Sequence, residues 1–300
     1  MSAGADTLFP GFARRTVDVG GVPIHARIGG EGLPVLLLHG YPQTHVCWHR
    51  VAPALSRHFT VVCADLRGYG DSGRPASDGN HAAYSKRRMA GDCLGLMAAL
   101  GFARFAVAGH DRGGRVAERL ARDHRDAVTR LAVLDIIPVT LSPDLLARVD
   151  ADFARDVYHF FFLSQPADLP ERLIGAEPAF FLRWTLERWG GAPGWLSDAA
   201  FAEYLRCFSD PASIHATCED YRAGLTADAA DNASDDGPPL ACPLLSLWGR
   251  DSKFGARFDP VAYWRERARD VRGEAVAGGH FVAEESPEAV IRALSDFLGG

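Results

Sequence analysis

The stretch Phe105-Ala106-Val107-Ala108-Gly109-His110-Asp111-Arg112-Gly113-Gly114-Arg115 (FAVAGHDRGGR) changes character twice within a few residues. Four apolar residues of strand length run into a glycine-rich turn of pattern G-x-D-x-G, and a helix-like run follows. A strand that turns sharply into a helix holds the central side chain in a strained, exposed position, and small neighbours let the backbone pass closely. A serine nucleophile often occupies that centre. Here it is Asp111, which predicts a carboxylate nucleophile.

Working outward, apolar runs of strand length occur at Val35–Leu38, Phe59–Ala64, Phe105–Ala108, Leu131–Leu134 and Leu244–Trp248, with helix-like segments between most of them. Such runs suit strands buried on both faces of a mostly parallel sheet covered by helices. Two β-rich stretches, Arg15–Val19 and Pro23–Ile28, flank Gly20-Gly21 and read as an antiparallel hairpin. From about Leu141 to Ala223 the chain is aromatic-rich with helical periodicity, which predicts a helical cap inserted in the core. The expected division is therefore core at 1–140, cap at 141–223 and core again at 224–300. The acidic stretch Ala227–Pro239 reads as a solvated linker, and Glu288–Leu298 as a closing amphipathic helix.

At 300 residues, 47% hydrophobic and 23% charged, the chain is long enough for one domain with a large insertion. A net charge of -6 with both signs interspersed gives no cationic face for nucleic acid or an anionic membrane surface. No apolar run has the length of a signal peptide or a membrane span, which points to a cytoplasmic protein. The six cysteines lack CxxC spacing and read as reduced, mostly buried thiols, so no metal site is expected.

The elbow needs partners. His39-Gly40-Tyr41-Pro42 follows a strand, where the α/β-hydrolase fold draws one oxyanion-hole N–H; the residue after the nucleophile gives the other. Those are Tyr41 and Arg112. His280, in Gly278-Gly279-His280-Phe281 before the final helix, stands where that fold keeps its general base. The acid has two candidates. Asp135 ends the strand Leu131–Leu134; Asp251 follows a later strand, one residue short of the usual position, which Ser252 occupies. Asp135 is favoured. His39 and His110 belong to the loop and elbow and are assigned structural roles.

A carboxylate is ionised at neutral pH and can displace a leaving group from a saturated carbon, giving an alkyl-enzyme ester. The histidine is then free to activate water against that ester. No metal or organic cofactor is required. Arg112 and Arg115, three apart at the helix start, can grip a small carboxylate beside the nucleophile, so the expected substrate is a short acid with a leaving group on its α-carbon.

Together GHDRGGR (Gly109–Arg115), HGYPQTHVCWHR (His39–Arg50), Leu134-Asp135-Ile136, CEDYRAG (Cys218–Gly224) and Gly279-His280-Phe281 resemble the haloacetate dehalogenases, specifically the fluoroacetate dehalogenases, over essentially the whole chain. The resemblance implies Asp111 as nucleophile, Asp135 as acid, His280 as base, and Arg112 with Arg115 as the carboxylate clamp. It also implies a halide pocket made by a histidine, a tryptophan and a tyrosine of the cap. His159 and Tyr221 match two of these, but Phe160 stands where fluoride-active members have tryptophan. Trp189 matches a pocket-lining position. Without an indole N–H, chloroacetate is expected to be favoured over fluoroacetate. The resemblance further suggests a homodimer whose other partners are only the haloacid and water.

Two other readings stand beside this one. Epoxide hydrolases share the aspartate elbow, but usually carry tryptophan where this chain has Arg112, and use two cap tyrosines; Tyr158 and Tyr204 are the spare candidates beside Tyr221. A non-catalytic acid-binding member of the fold is the other.

Overall fold

The computed structural model describes residues 7–138 and 149–299. Eight strands form one sheet in the order β1-β2-β4-β3-β5-β6-β7-β8. They are β1 (Ala13–Val19), β2 (Val22–Gly29), β3 (Leu33–Leu38), β4 (Phe59–Ala64), β5 (Phe105–His110), β6 (Val128–Leu134), β7 (Leu244–Gly249) and β8 (Val271–Val276). β1 and β2 form the expected hairpin, β2 runs antiparallel to β4, and the remaining pairs are parallel. The protein is an α/β-hydrolase in fold.

Every residue of β5 is buried, as a central strand covered on both faces requires. β8 has no counterpart among the apolar runs of the sequence. It is an edge strand, VRGEAV, largely exposed outside Val276, so its burial leaves no hydrophobic signature. The core helices include α1 (Ala52–Leu55), α2 (Lys86–Ala99) and α3 (Arg112–Asp123). The closing helix spans Pro287–Gly299 and buries Val290, Ala293, Leu294, Phe297 and Leu298, the i, i+3, i+4, i+7, i+8 stripe that packs it onto the sheet.

Between β6 and β7 the described residues are helical: α4 (Ala151–Asp156), α5 (Tyr158–Leu163), α6 (Leu169–Ala176), α7 (Pro178–Trp189), α8 (Asp198–Phe208), α9 (Pro211–Leu225) and α10 (Ala227–Ala233). The expected start of the insertion at Leu141 lies outside the described residues. The helix α10 corrects the expectation of a solvated linker at Ala227–Pro239. Asp228 is buried, accepting from Lys86 N at 2.7 Å and Lys86 Nζ at 3.1 Å, and Asp235 pairs with Arg119 at 3.1 Å and Arg122 at 2.8 Å. The acidic run is the counter-charge of a cationic face on α2 and α3. Arg119 and Arg122 of α3 are thus ion-paired, and Arg119 is buried.

All six cysteines are unpaired, five of them buried and Cys242 half-buried. Among the described residues no helix is long and apolar enough to cross a membrane.

Candidate active site

The site lies at the C-terminal ends of β5 and β6. Asp111 follows β5 with φ 48°, and Asp135 follows β6 with φ 47°, both in the left-handed region that costs a non-glycine residue energy. Backbone pairing holds each turn: Asp111 N donates to Leu134 O at 3.1 Å, and Asp135 N to Leu247 O at 2.7 Å. Behind the elbow the chain needs Gly113, because a Cβ there would collide with the His39 and Leu38 carbonyls of β3 and its loop.

Asp111 Oδ1 accepts the Tyr41 N–H at 2.9 Å, and the Arg112 backbone N–H also favours the Asp111 carboxylate. Its other oxygen, Oδ2, faces His280 Nε2 at 3.9 Å. On its far side His280 Nδ1 donates to Asp135 Oδ2 at 2.6 Å, and Asp135 Oδ1 accepts Gly249 N–H at 3.1 Å. That arrangement fixes the tautomer: Nδ1 carries the proton and Nε2, with no hydrogen-bond partner among the described residues, presents its lone pair. Asp251 is not part of this group. It is exposed, and its N–H pairs with Gly278 O at 3.0 Å.

Burial alone would keep Asp111 protonated, but the charges of His280, His110 and Arg112 and the Arg112 N–H outweigh it and lower its pKa. For His280, burial disfavours the charged form, yet the Asp135 hydrogen bond and the charges of Asp135 and Asp111 prevail and raise its pKa. Burial pushes His110 down to about 3, and its neutral ring donates from Nε2 to His280 O at 2.8 Å. His39 likewise serves the backbone, meeting Gly40 O at 3.0 Å and accepting Leu66 N–H at 3.1 Å.

The two arginines differ. Arg112 is buried and fastened to Asp220 of α9, Nε at 2.8 Å and Nη2 at 2.5 Å, with Nη2 also 2.6 Å from the Asp220 carbonyl. Its guanidinium lies 4.1 Å from the Tyr221 ring centroid. Asp220 therefore engages two of the three nitrogens and leaves Nη1 for another partner. Arg115 shares a cavity lining with Arg112, Phe160 and Tyr221, and burial and the neighbouring Arg112 charge lower its pKa. Two like charges in one lining make that cavity receptive to an anion.

Asp220, unnoticed in the sequence, is the hub beneath this clamp. It also takes Lys86 Nζ and the Tyr69 hydroxyl, the latter at 2.8 Å, and the Arg112 and Lys86 charges lower its pKa despite full burial. A signal was present in CEDYRAG: Glu219, Asp220 and Arg222 lie together on a helix and all are buried.

The insertion supplies an aromatic wall. His159, Phe160 and Trp189 line the cavity over Asp111, Asp135 and His280, together with Lys253 and Phe254. The His159 ring is 4.3 Å from Trp189, 4.5 Å from Phe160 and 5.8 Å from Tyr221. Burial pushes its pKa down to about 3, so it is neutral. Phe160 borders both this cavity and the arginine cavity, placing it between nucleophile and clamp. The two spare tyrosines line neither cavity. Tyr204 donates to Glu284 at 2.9 Å, and the Tyr158 ring packs edge-on against Trp184 at 5.7 Å.

Among the described residues, His25, His45 and Asp65 are the one group with metal-ligand proximity. Asp65 already accepts His45 N–H at 2.7 Å, His45 Nδ1 at 2.9 Å and Asp71 N–H at 3.0 Å, and the Arg27 charge adjoins His25. The group reads as an anchor for the loop carrying Tyr41.

With this geometry in hand, the likenesses fall into place. The α/β hydrolase fold family matches residues 34–287. A fluoroacetate dehalogenase from Burkholderia sp is 45% identical over 97% of this chain and 95% of the relative. A soluble epoxide hydrolase from Corynebacterium sp. (strain C12) is 37% identical over 93% of this chain and 95% of its own length. A crystal structure of a protein from Nostoc sp PCC 7120, assigned to the α/β hydrolases, superposes with a TM-score of 0.92 at 51% identity, covering 96% of this chain and 98% of that one. The chain belongs to the haloacetate (fluoroacetate) dehalogenase family of the α/β-hydrolase superfamily.

Proposed function

We propose that the protein hydrolyses the carbon–halogen bond of short 2-halo carboxylic acids, converting haloacetate to glycolate and halide through a covalent Asp111 ester. The observation that carries this reading is the arginine pair beside a carboxylate nucleophile: Arg112 and Arg115 line the cavity that meets the nucleophile's at Phe160. Their positive field draws the substrate carboxylate, and the α-carbon is left facing Asp111 Oδ2. Oδ2 forms the C–O bond as the C–halogen bond breaks, the electron pair leaving with the halide. Neutral His159, Trp189 and Tyr221 surround the departing ion.

Ester formation removes the Asp111 charge. That charge is one of the influences raising the His280 pKa, so the imidazole becomes easier to keep neutral at the step where a base is needed. His280 Nε2 takes a proton from water, whose oxygen attacks the ester carbonyl carbon. The oxyanion is held by the Tyr41 N–H that already binds Oδ1 and by the Arg112 N–H beside the same carboxylate. Collapse expels the glycolate alkoxide, which takes the proton from His280, and Asp111 returns with water's oxygen and loses water's second proton to solvent as it ionises. Asp135 keeps the imidazole oriented throughout.

Halide release from chloroacetate and fluoroacetate, run beside an assay of diol formation from an aryl epoxide control, tests this reading. Chloride release exceeding fluoride release supports it. Fluoride is small, strongly hydrated and a poor leaving group, and the donor missing at Phe160 is worth about 1.5 to 3 kcal/mol. Equal or faster fluoride release contradicts the role given to Phe160. Diol formation from the epoxide alone makes the protein an epoxide hydrolase instead; the absence of Tyr158 and Tyr204 from the cavity linings speaks against that outcome. Retention of a small acid without turnover is the outcome expected of a binding protein. Exposed Leu169, Leu173 and Phe180 on neighbouring helices of the insertion fit a homodimer contact, which Leu173→Glu should dissolve in size-exclusion chromatography.

A further inference from the structure

His280 is fastened from an unexpected direction. The short helix α11 (Val282–Glu285) ends in two adjacent acids, and the carboxylate of the second, Glu285, turns back on the loop that carries the base. Its Oε2 accepts Gly279 N–H at 2.8 Å and its Oε1 accepts Phe281 N–H at 2.8 Å, so it grips the peptide groups on both sides of His280. Oε2 also accepts Gly191 N–H, at 2.7 Å, from the insertion. The remaining amide of the loop, His280 N–H, donates to Trp189 O at 3.0 Å. Every backbone donor from Gly279 to Phe281 is therefore taken, either by Glu285 or by the end of α7. The two backbones pass so closely that a Cβ on Gly279 would meet Gly191 N at 2.5 Å and Trp189 O at 2.7 Å.

We propose that Glu285 is a positioning residue for the general base: its carboxylate locks the loop around His280 to Gly191 of the insertion, so that Nε2 is aimed correctly at the Asp111 ester only when the insertion is seated. The inference rests on the two-step reading above. The carboxylate form is essential because all three partners are N–H donors and a carboxylate only accepts. Glutamine would set an NH2 against at least one of them, leaving a backbone donor opposed rather than paired. The first step, attack by Asp111, does not use His280, so the loss falls on the second.

Glu285→Gln, with exposed Glu288→Gln as control, is to be compared with the wild type in rapid-quench chloroacetate turnover. The expected result is a halide burst within about threefold of wild type, a steady-state rate about 100-fold lower, and the carboxymethyl ester of Asp111 as the resting species, the size of a misaimed general base. Glu285→Asp, which keeps the charge but cannot reach all three N–H groups, should show the same pattern more weakly and stands in if the glutamine variant does not fold. Burst and steady state lowered equally, or neither changed, overturns the proposal. Hydrogen exchange needs no activity: in either variant the Gly191, Gly279 and Phe281 amides should exchange at least about tenfold faster, with β5 unchanged. Unaltered exchange at those amides overturns the positioning role even if the enzyme prefers another substrate. A wild type that turns over chloroacetate while neither it nor the variants ever carry a carboxymethyl ester on Asp111 refutes the two-step reading instead.

Discussion

The two walls of the site are built by different means. On the core side, Asp111 and Asp135 leave adjacent parallel strands with nearly the same strained φ, 48° and 47°, and three of their four oxygens are held by directed hydrogen bonds of 2.6 to 3.1 Å. On the insertion side, His159, Phe160, Trp189 and Tyr221 meet through ring packing with centroids 4.3 to 5.8 Å apart, which fixes shape but sets direction far less strictly. On the proposed reading the strand ends determine which reaction can occur, and the aromatic wall which leaving group it accepts. Arg112 belongs to both, since it follows the nucleophile yet is held by Asp220 of α9.

That division can be broken by substitutions of graded effect. Asp111→Asn removes the nucleophile without changing its size, and turnover should fall at least about 10^4-fold with no covalent adduct. Halide release retained within tenfold would place the chemistry elsewhere. Asp220→Asn weakens the hold on Arg112 and should raise KM for chloroacetate by about 10- to 100-fold, with a smaller change in kcat, since a charged hydrogen bond is worth about 1.5 to 3 kcal/mol. A fall in kcat at constant KM would mean that Asp220 acts on the nucleophile and not on the clamp. Phe160→Trp restores a donor to the aromatic wall and should raise the fluoroacetate-to-chloroacetate rate ratio about tenfold. An unchanged ratio would mean that another group already solvates the fluoride.

A smaller effect concerns stability. Glu284, fully buried between Gln43 at 2.5 Å and Tyr204 at 2.9 Å, with His49, Arg50 and Glu285 the charged or titratable groups nearby, has its pKa pushed up to about 8 by burial. Its unfolded value is 4.5, so between these the folded chain binds the extra proton and stability falls as pH rises. Wild-type Tm should drop by a few degrees from pH 5 to 8, and the difference from Glu284→Gln should narrow or reverse over that window. Parallel Tm profiles for the two proteins would contradict this.

Much of the core wall was legible in the sequence because its parts are local. Strand, turn and helix follow one another around Asp111, and β3 to β7 each carry an apolar run that double-sided burial imposes. What was hidden depends on partners far along the chain. The pairing of Asp220 with Arg112 spans 108 residues, and Glu285 reaches Gly191 across 94. β8 was missed because an exposed edge strand needs no apolar run. The helix at Ala227–Ala233 was misread because its acids resemble a solvated tail until Lys86, Arg119 and Arg122 are seen opposite them.

The central claim, that a carboxylate at the elbow attacks and a histidine releases the product, is most directly tested by intact mass of His280→Gln after incubation with chloroacetate. The account predicts that the protein releases one chloride per chain, gains the mass of one carboxymethyl group on the peptide containing Asp111, and then stalls. Sustained turnover without a mass gain, or an adduct on any other residue, would contradict it.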